Sequence, residues 1–508
     1  MSGSCSSTFG YDSLYLDLKR NGVSINRTQI KLTDGTTPFS IVSSIRADTV
    51  EYSITVGITS GTKNFIFASR DSIVAGDVYL IAGQSNAVLA RGDVRWEDEY
   101  CRTFGNYNST YPSDTNWAIA LADTNTRRQV VGVWALYLMK ALRDSLGVPI
   151  CIINGAVGGK SIEQSLPTAS NPTNLATVYG MMLYRVQKAG LASSAKALFW
   201  YQGEANNNNG YLENFTTLYK SWKTHYPSLK KVYVFQIRPG CNTNRVHAEL
   251  RETQRTLSEK YSDITVLPSV AIKGHDGCHL TTDGYIEISK QVYPVVMNDF
   301  YNGNFENVAA PNITKAIYVN QLNNRIALIF APSAKLLFTP DTVVGGFNST
   351  IKESFYLNGD NMNVSSVEIG NDTVFLNIKF PTGYDRVTYV PDKYYPGKSI
   401  YYEGPWITND RGIGAFTFYE FPVEGKNGFA NLSSPKGVQM YPNPARSYIQ
   451  ISDSESDSLD IRIYNIYGGV VYSDIRYGGN TTIGIGSLPS GSYSVSINGK
   501  RNKMIKVD

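Results

Sequence analysis

The sequence predicts an α/β protein: a three-layer sandwich with a parallel sheet, flanked by small all-β domains. Three observations support this fold class. The 508 residues exceed what one hydrophobic core holds, so several domains are expected. Between residues 76 and 303, near-continuous apolar strands alternate with helical segments, as in a parallel sheet covered on both faces. On either side of that region, alternating segments indicate strands without helices.

The first 75 residues are predicted to form a small β segment, 1–75. SLYLDLKR, EYSITVGI and KNFIFASR alternate between apolar and polar residues, and turn-rich TDGTTP and TSGTK separate them. This pattern predicts strands that bury one face.

The region 76–303 is predicted to form an α/β domain. Its strands are DVYLIAG, PICIIN, KALFWYQ, KVYVFQI and ITVLPSV. Its helices are RRQVVGVWALYLMKALRDSLG, NLATVYGMMLYRVQKAG, YLENFTTLYKSWKTHY, NRVHAELRETQRTLSEKY and DGYIEISKQVYPVVMNDFY. The first helix ends at Gly147, which suits a C-cap. In such sheets a ligand binds beyond the C-terminal ends of the strands.

After residue 303 the helical pattern disappears. Alternating segments predict an accessory β-sandwich over 304–424. The Gly-, Ser- and Asn-rich stretch 425–436 is predicted to be a linker. Residues 437–508 contain further alternating segments and are predicted to form a C-terminal β-sandwich.

Charge and composition exclude several classes of protein. The net charge is only +4 and no block of Lys or Arg stands out, which argues against nucleic acid and anionic membranes as partners. The sequence contains no run of about 18 apolar residues, so no membrane-spanning helix is predicted. The five cysteines show no C-x-x-C spacing, which argues against a zinc site.

The strand DVYLIAG ends at Gly83, and three polar residues follow it at once: Gln84, Ser85 and Asn86. A glycine permits a sharp turn there. A serine hydroxyl at a strand-to-helix turn can attack a carbonyl carbon when a base accepts its proton. The alternative is that Ser85 and Asn86 only cap the next helix.

Only four histidines are available as the base. His225 and His247 lie in helical stretches and are predicted to be surface positions. His275 and His279 follow the last strand, at the edge where DVYLIAG also ends. Asp276 precedes His279 by three residues, which lets its carboxylate orient the imidazole and leaves Nε2 for the serine. The alternative for Asp276 is a solvated side chain.

Two further strand ends supply hydrogen-bond donors. The glycines of IINGAVGGKSIEQ, among them Gly158 and Gly159, let backbone N–H groups face the site as an oxyanion hole requires. An ordinary glycine-rich turn is the alternative. FWYQGEAN carries Gln202, Glu204 and Asn206, and its amide side chains can bind a developing oxyanion. Together, four of the five strand ends carry parts that serine catalysis needs.

The motifs GDVYLIAGQSNA, NGAVGGKSI, WYQGEAN and DGCHL resemble the SGNH hydrolases, most closely the branch with sialate O-acetylesterases and acetyl-xylan esterases. The resemblance implies a flavodoxin-like sheet over this region. It implies that Ser85 is the nucleophile, His279 the base and acid, and Asp276 the orienting carboxylate. Gln84 and Glu204 are expected to be supporting residues, with Glu204 as an alternative to Asp276.

The resemblance also implies an oxyanion hole. Its expected donors are the Ser85 amide, the Gly158 or Gly159 amide, and the side chain of Gln202 or Asn206. SGNH enzymes usually carry Gly-x-Asn in the third block, but here Ala205 stands at the asparagine position after Gly203. Gln202 is therefore the preferred side-chain donor, and Asn206 is the second choice.

The tail segments VQMYPNPARSYIQIS, IRIYNIYGGVVYS, IGSLPSGSYSVSI and NKMIKVD resemble the C-terminal sorting domain of type IX secretion cargo. The resemblance implies that the type IX machinery is a partner and that the protein passes the periplasm of a Gram-negative bacterium to the cell surface or medium. A generic β-sandwich module is the alternative. The start, MSGSCSSTFGYDS, lacks the features of a signal peptide, so one is expected to be absent from this chain.

These observations predict a serine esterase that removes O-acetyl groups from a carbohydrate, either sialic acid or acetylated xylan or glycan, without a metal or organic cofactor. The alternatives are a lipase or arylesterase on the same fold and a catalytically silent carbohydrate-binding surface protein. Basic candidates for binding an acidic sugar are Arg91, Arg95, Lys160 and Arg238. Cys241 and Cys278 follow strands at one sheet edge and are predicted to lie close enough to pair, whereas Cys151 is predicted to be a buried thiol.

Overall fold

The structure is a computed structural model. It describes residues 2–5, 10–33, 36–105, 113–123, 130–241, 247–320, 322–344, 347–380, 383–390, 403–425, 438–453 and 457–508. The chain divides into two compact units, residues 1–426 and 427–508, and each is described by itself. The first unit contains the first three regions predicted as domains.

The N-terminal region is an antiparallel β structure with a small core of its own. Its strands are β1 (Ser2–Cys5), β2 (Ser13–Arg20), β3 (Val23–Lys31), β4 (Thr37–Ser40), β5 (Tyr52–Ser60) and β6 (Lys63–Ile73). Four of them form a sheet in the order β3-β2-β5-β6, and β1 pairs with β4. Leu14, Leu16 and Leu18 alternate along β2, so they lie on one face and are buried together.

A seven-stranded sheet forms the centre of the first unit. Its strands are β7 (Asp77–Gly83), β8 (Cys101–Phe104), β9 (Trp117–Ile119), β10 (Ile150–Asn154), β11 (Ala195–Tyr201), β12 (Lys231–Gln236) and β13 (Ile264–Pro268). The order is β13-β12-β11-β7-β10-β8-β9. All neighbours pair in parallel except β8 and β9, which are antiparallel. The five predicted strands are all parallel, as expected, and the sheet is extended at one edge by β8 and by the three-residue β9, which folds back on β8.

Helices connect these strands and cover the sheet. They are α1 (Ser85–Val88), α2 (Val133–Leu146), α3 (Val178–Lys188), α4 (Tyr211–His225), α5 (Ala248–Arg255), α6 (Leu257–Lys260) and α7 (Thr282–Phe300), with a 3₁₀ turn at Glu163–Ser165. The helix α2 ends at Gly147, whose φ of 64° is left-handed, as a glycine C-cap allows. The single helix predicted over residues 244–261 is two shorter ones, and residues 242–246 lie outside the described part.

The accessory region is all β. Its strands are β14 (Asn312–Tyr318), β15 (Arg325–Ala331), β16 (Leu336–Phe338), β17 (Thr342–Val344), β18 (Phe347–Ser349), β19 (Phe355–Leu357), β20 (Val364–Gly370), β21 (Thr373–Ile378), β22 (Arg386–Tyr389), β23 (Ile407–Asn409) and β24 (Phe418–Pro422). They form the sheets β14-β15-β21-β20 and β19-β22-β24, with the pairs β16-β23 and β17-β18, and a 3₁₀ turn lies at Ile351–Ser354.

The accessory region is joined to the α/β core by buried hydrogen bonds. The Gln236 side chain, at the end of β12, donates to Thr417 O (2.8 Å) and accepts from Thr417 N (3.0 Å). Arg251, on α5, donates to the Thr417 hydroxyl (3.0 Å) and to Val390 O (2.6 Å). These contacts fix the accessory region at the C-terminal end of β12, on the side of the sheet where the site was predicted.

The second unit is a separate β structure. Its strands are β25 (Val438–Tyr441), β26 (Tyr448–Asp453), β27 (Ser458–Tyr464), β28 (Val470–Tyr477), β29 (Asn480–Gly484), β30 (Gly491–Ile497) and β31 (Lys500–Lys506). They form two sheets, β25-β26-β29 and β28-β27-β30-β31. Alternate residues, such as Ile449, Ile451, Ile461 and Ile463, make a common core. Nearly all of the predicted linker 425–436 lies outside the described residues. No helix in the described part of the chain has the length and apolar character needed to cross a membrane.

Candidate active site

Ser85 lies at the point where the central strand β7 turns into α1. Gly83 ends that strand with a φ of +137°, a conformation that side chains rarely adopt. A Cβ at this position would also lie 2.1 Å from Tyr201 O on the neighbouring β11. Only glycine therefore fits here, and the turn that follows leaves Ser85 partly exposed at the C-terminal edge of the sheet.

His279 and Asp276 reach Ser85 from the loop between β13 and α7. His279 Nε2 lies 2.9 Å from Ser85 Oγ, although the two residues are 194 positions apart. His279 Nδ1 lies 3.5 Å from the Asp276 carboxylate. Asp276 Oδ1 also accepts the backbone N–H of His279 (2.7 Å) and of Cys278 (2.9 Å). Burial alone would raise the pKa of Asp276, but these hydrogen bonds and the nearby imidazole hold it below its usual range.

The histidine loop is held in place by covalent and polar contacts. Cys241 and Cys278 form a disulfide, as predicted, with Cα atoms 3.9 Å apart. Cys241 N donates to Gly277 O (3.0 Å), and Asn86 Nδ2 donates to Cys278 O (3.1 Å). Because Cys278 is next to His279, these contacts fix the backbone that carries the imidazole. Cys151 is buried in β10, as predicted.

The glycine-rich loop after β10 lies beside Ser85. A Cβ built on Gly158 would be 3.8 Å from Ser85 Cβ, at van der Waals distance and with no nearer neighbour, so Gly158 lies directly beside the serine. Gly159 has a left-handed φ of +71°. Val157 N donates to Gly83 O (3.2 Å), which joins this loop to the turn that precedes Ser85.

The two predicted side-chain donors are engaged elsewhere. Gln202 Nε2 donates to Asn206 Oδ1 (2.6 Å), Gln84 Oε1 (3.2 Å) and Lys160 O (3.3 Å). Asn206 Nδ2 donates to both carboxylate oxygens of Glu163, at 3.0 and 3.1 Å. In this structure, therefore, both amides face protein oxygens.

Comparisons with known proteins identify a matching family for two segments of the chain. Residues 75–297 match the family model described as carbohydrate esterase, sialic acid-specific acetylesterase. Residues 439–507 match the model of a secretion system C-terminal sorting domain. The α/β core therefore resembles a carbohydrate esterase domain. The resemblance drawn from the motifs is thus confirmed for both segments, and the sorting domain points to secretion and a place on the cell surface or outside the cell.

Three solved structures resemble parts of this chain, and one of them has a TM-score above 0.5. A carbohydrate acetylesterase from Xanthomonas citri has a TM-score of 0.55 and 18% identity over 82% of this chain and 94% of that one. A family two carbohydrate esterase from Clostridium thermocellum has a TM-score of 0.29 and 8% identity, and the match covers 59% of this chain and 88% of that one. A protein from Arabidopsis thaliana has a TM-score of 0.36 and 20% identity, and the match covers 44% of this chain and 100% of that one. The similarity in fold to the Xanthomonas citri structure covers more of the chain than residues 75–297. No curated protein matches the chain significantly.

Glu204 and Asn86 are buried and joined by a hydrogen bond, and Asn86 follows Ser85 directly in the chain. Asn86 Nδ2 donates to Glu204 Oε1 (2.5 Å), and Asn86 Oδ1 accepts from the Tyr285 hydroxyl (2.6 Å). Burial raises the pKa of Glu204, whereas the Asn86 hydrogen bond opposes that rise. The carboxylate beside His279 Nδ1 is that of Asp276, which favours Asp276 over Glu204 as the orienting group.

Three histidines of the esterase domain lie away from Ser85, and two of them correct the prediction of surface positions. His247 is buried, because it precedes α5, which packs against both β12 and β24. His225 is half-buried, and its Nδ1 lies 2.7 Å from the Tyr179 hydroxyl. His275 is fully buried, with its Nε2 close to Arg238 and Glu403. Sequence reasoning could not find Glu403, since it comes from the accessory region.

The basic candidates for an acidic sugar differ in their surroundings. Arg91 donates to Leu280 O, and Arg95 pairs with Asp123 at 3.4 Å. The guanidinium of Arg238 is buried beside His275. Lys160 is half-buried next to the glycine loop, and its ammonium has no ion-pair partner within the described residues.

Proposed function

We propose that the esterase domain removes O-acetyl groups from a carbohydrate through an acyl-enzyme on Ser85. The observation that carries this proposal is the 2.9 Å approach of His279 Nε2 to Ser85 Oγ, with the Asp276 carboxylate on the other side of the ring. Serine catalysis needs this order of hydroxyl, imidazole and carboxylate. The match to a carbohydrate esterase family supplies the class of substrate.

In the first step, Ser85 Oγ attacks the acetyl carbonyl carbon while His279 Nε2 accepts the hydroxyl proton. A C–O bond forms, and the carbonyl electron pair moves onto the oxygen. The backbone N–H groups of Ser85 and of Gly158 or Gly159 then stabilise that oxyanion. Asp276 holds the imidazole by its Nδ1 and stabilises the positive charge that the ring acquires.

In the second step, the tetrahedral intermediate collapses and the sugar oxygen leaves with the proton from His279. The bond between the acetyl carbon and the sugar oxygen breaks, and the acetyl group stays on Ser85 Oγ as an ester. Water then attacks this ester with His279 again as the base, and acetate and the free serine are released. The whole cycle uses groups of this chain and one water molecule.

Sialic acid is the first substrate to test. The description of the matching family supports it, and Lys160 supplies a cation beside the glycine loop for a sugar carboxylate. Acetylated xylan has no carboxylate on its acetylated sugar, so the two substrates separate the acidic and neutral classes. The C-terminal β-sandwich supports recognition by the type IX secretion machinery.

The decisive experiment measures acetate release by the full chain and by Ser85→Ala. The substrates are p-nitrophenyl acetate, O-acetylated sialic acid and acetylated xylan. We expect Ser85→Ala to abolish turnover, whereas Ser194→Ala, at an exposed serine, should leave it unchanged. Equal rates for wild type and Ser85→Ala would overturn the proposal in favour of a silent binding protein. Faster cleavage of long-chain p-nitrophenyl esters than of acetate would favour a lipase.

A further inference from the structure

The side chain of Gln84, the residue before Ser85, has an unambiguous orientation. Its Oε1 accepts hydrogen bonds from Ala205 N (3.1 Å) and Gly203 N (3.4 Å). Backbone N–H groups can only donate, so the atom that faces them must be the oxygen. The amide nitrogen of Gln84 therefore points away from the 203–205 backbone.

The orientation of the two neighbouring amides is fixed in the same way. Gln202 Nε2 faces Lys160 O, a backbone acceptor, so it must be the nitrogen. One hydrogen of this nitrogen is donated to Asn206 Oδ1. The other is shared between Gln84 Oε1 and Lys160 O. Asn206 Oδ1 accepts from Ile162 N (2.9 Å), which turns its nitrogen to Glu163. Neither amide can give a hydrogen to a substrate oxygen without losing a buried hydrogen bond.

Gln84 Nε2, in contrast, has no acceptor within the described part of the chain. It is also not one of the fully buried side-chain atoms that lack a hydrogen-bond partner. Its surroundings are those of the expected oxyanion hole. Gln84 precedes Ser85, and its Oε1 lies 3.2 Å from the Gln202 nitrogen, which contacts the carbonyl of Lys160. Lys160 is two residues beyond Gly158, and a Cβ built on Gly158 would lie 3.8 Å from Ser85 Cβ.

We propose that Gln84 Nε2 is the side-chain donor of the oxyanion hole, in the role predicted for Gln202 or Asn206. This inference rests on the proposed function. Gln84 gives a hydrogen bond and no proton: the Ser85 proton goes to His279, and the carbonyl electron pair moves onto the oxygen that Gln84 contacts. Gln202 is then a positioning residue, because its Nε2 donates to Gln84 Oε1 and helps to hold that amide.

A charge change at Gln84 tests the assignment. Gln84→Glu keeps an acceptor for Gly203 and Ala205 but replaces the donor with an oxygen. We expect kcat to fall by about 10²- to 10³-fold with little change in KM, as for loss of one oxyanion donor. The matched control is Gln187→Glu on α3, at an exposed position, which should keep the wild-type kcat. A kcat for Gln84→Glu within threefold of wild type would overturn the proposal.

A second measurement needs no variant and stays decisive if Gln84→Glu folds poorly. The wild-type enzyme is inactivated with a p-nitrophenyl alkylphosphonate, and the structure of the Ser85 adduct is solved. Gln84 Nε2 should lie about 2.7–3.1 Å from the phosphonyl oxygen. That oxygen bound by Gln202 or Asn206, with Gln84 turned away, would sink the assignment. Failure of the phosphonate and of Ser85→Ala to reduce activity would instead reject the proposed function itself.

Discussion

Two histidines in one loop, four residues apart, lie in opposite environments. The His279 side chain is 30% exposed and lies between Ser85 and Asp276. The His275 side chain is 0% exposed, and its Nε2 lies 2.6 Å from Arg238 Nη2 and 3.0 Å from Glu403 Oε1. Burial and the adjacent guanidinium lower the pKa of His275 to about 3, so it is neutral at physiological pH.

The difference shows that one short loop serves two purposes. His279 is partly exposed and its Nε2 lies within hydrogen-bond distance of the Ser85 hydroxyl, which is what the proposed proton transfer requires. His275 Nδ1 accepts Gly277 N (3.0 Å), and its other nitrogen meets Glu403 of the accessory region. We therefore expect changes at His279 to affect catalysis and changes at His275 to affect stability.

Substitution of His279 should have the largest effect. His279→Gln removes the base but leaves a side chain of similar size in a partly exposed place. We expect kcat on p-nitrophenyl acetate to fall by about 10²- to 10⁴-fold, with the thermal midpoint nearly unchanged. Measuring kcat and thermal unfolding on the same sample checks this. A variant that kept its kcat but melted earlier would reverse the roles assigned to the two histidines.

Removal of the disulfide should affect stability and activity together, because it holds the loop of both histidines. The bridge spans 37 residues, and loop-closure entropy predicts a loss of about 3–4 kcal/mol in the free energy of unfolding. The double variant Cys241→Ser and Cys278→Ser should also lower kcat. Denaturant unfolding and acetate release measure the two effects. The control is Cys5→Ser, on β1, and equal losses there would show that the bridge itself contributes nothing.

Much of the esterase site could be predicted from the sequence, because its signals are local. Gly83 followed by Ser85, and Asp276 followed by His279, each stand at the end of an apolar strand. In a parallel sheet those ends share one edge, so the meeting of Ser85 and His279 follows from the order of elements.

The choice among the amides of the site could not be predicted from the sequence. Gln84, Gln202 and Asn206 all lie at the same edge, and the sequence favoured Gln202, then Asn206, with Gln84 only in a supporting role. Their orientations depend on backbone groups far along the chain, such as Ile162 N and Lys160 O. The burial of His247 was missed for a related reason. His247 directly precedes α5, and the accessory strand β24, far along the chain, packs against that helix.

A smaller effect is expected from Asp276→Asn. Asparagine can still accept the two backbone N–H groups of the loop, but its amide offers a hydrogen to His279 Nδ1 where an acceptor is needed. We expect kcat to fall by about 10- to 100-fold, less than for a buried orienting carboxylate, because Asp276 is 58% exposed. Asp283→Asn, at an exposed position in the first turn of α7, is the control. A kcat loss as large as that of His279→Gln would mean that the solvent-exposed pair is stronger than its geometry suggests.

The pH dependence of stability gives the smallest expected effect and isolates His275. Its pKa is about 3 in the folded chain and near 6.5 when unfolded, so below pH 6.5 the unfolded chain binds a proton that the folded chain does not. Stability from this group is complete above pH 6.5 and falls as the pH drops, by at most about tenfold in the folding constant per unit. His275→Gln should make the loss between pH 7.5 and 5.5 shallower in denaturant titrations, whereas His225→Gln, at a half-buried histidine, should change it less. An unchanged slope for His275→Gln would mean that His275 takes up its proton equally in both states, and the contrast with His279 would then lose its electrostatic basis.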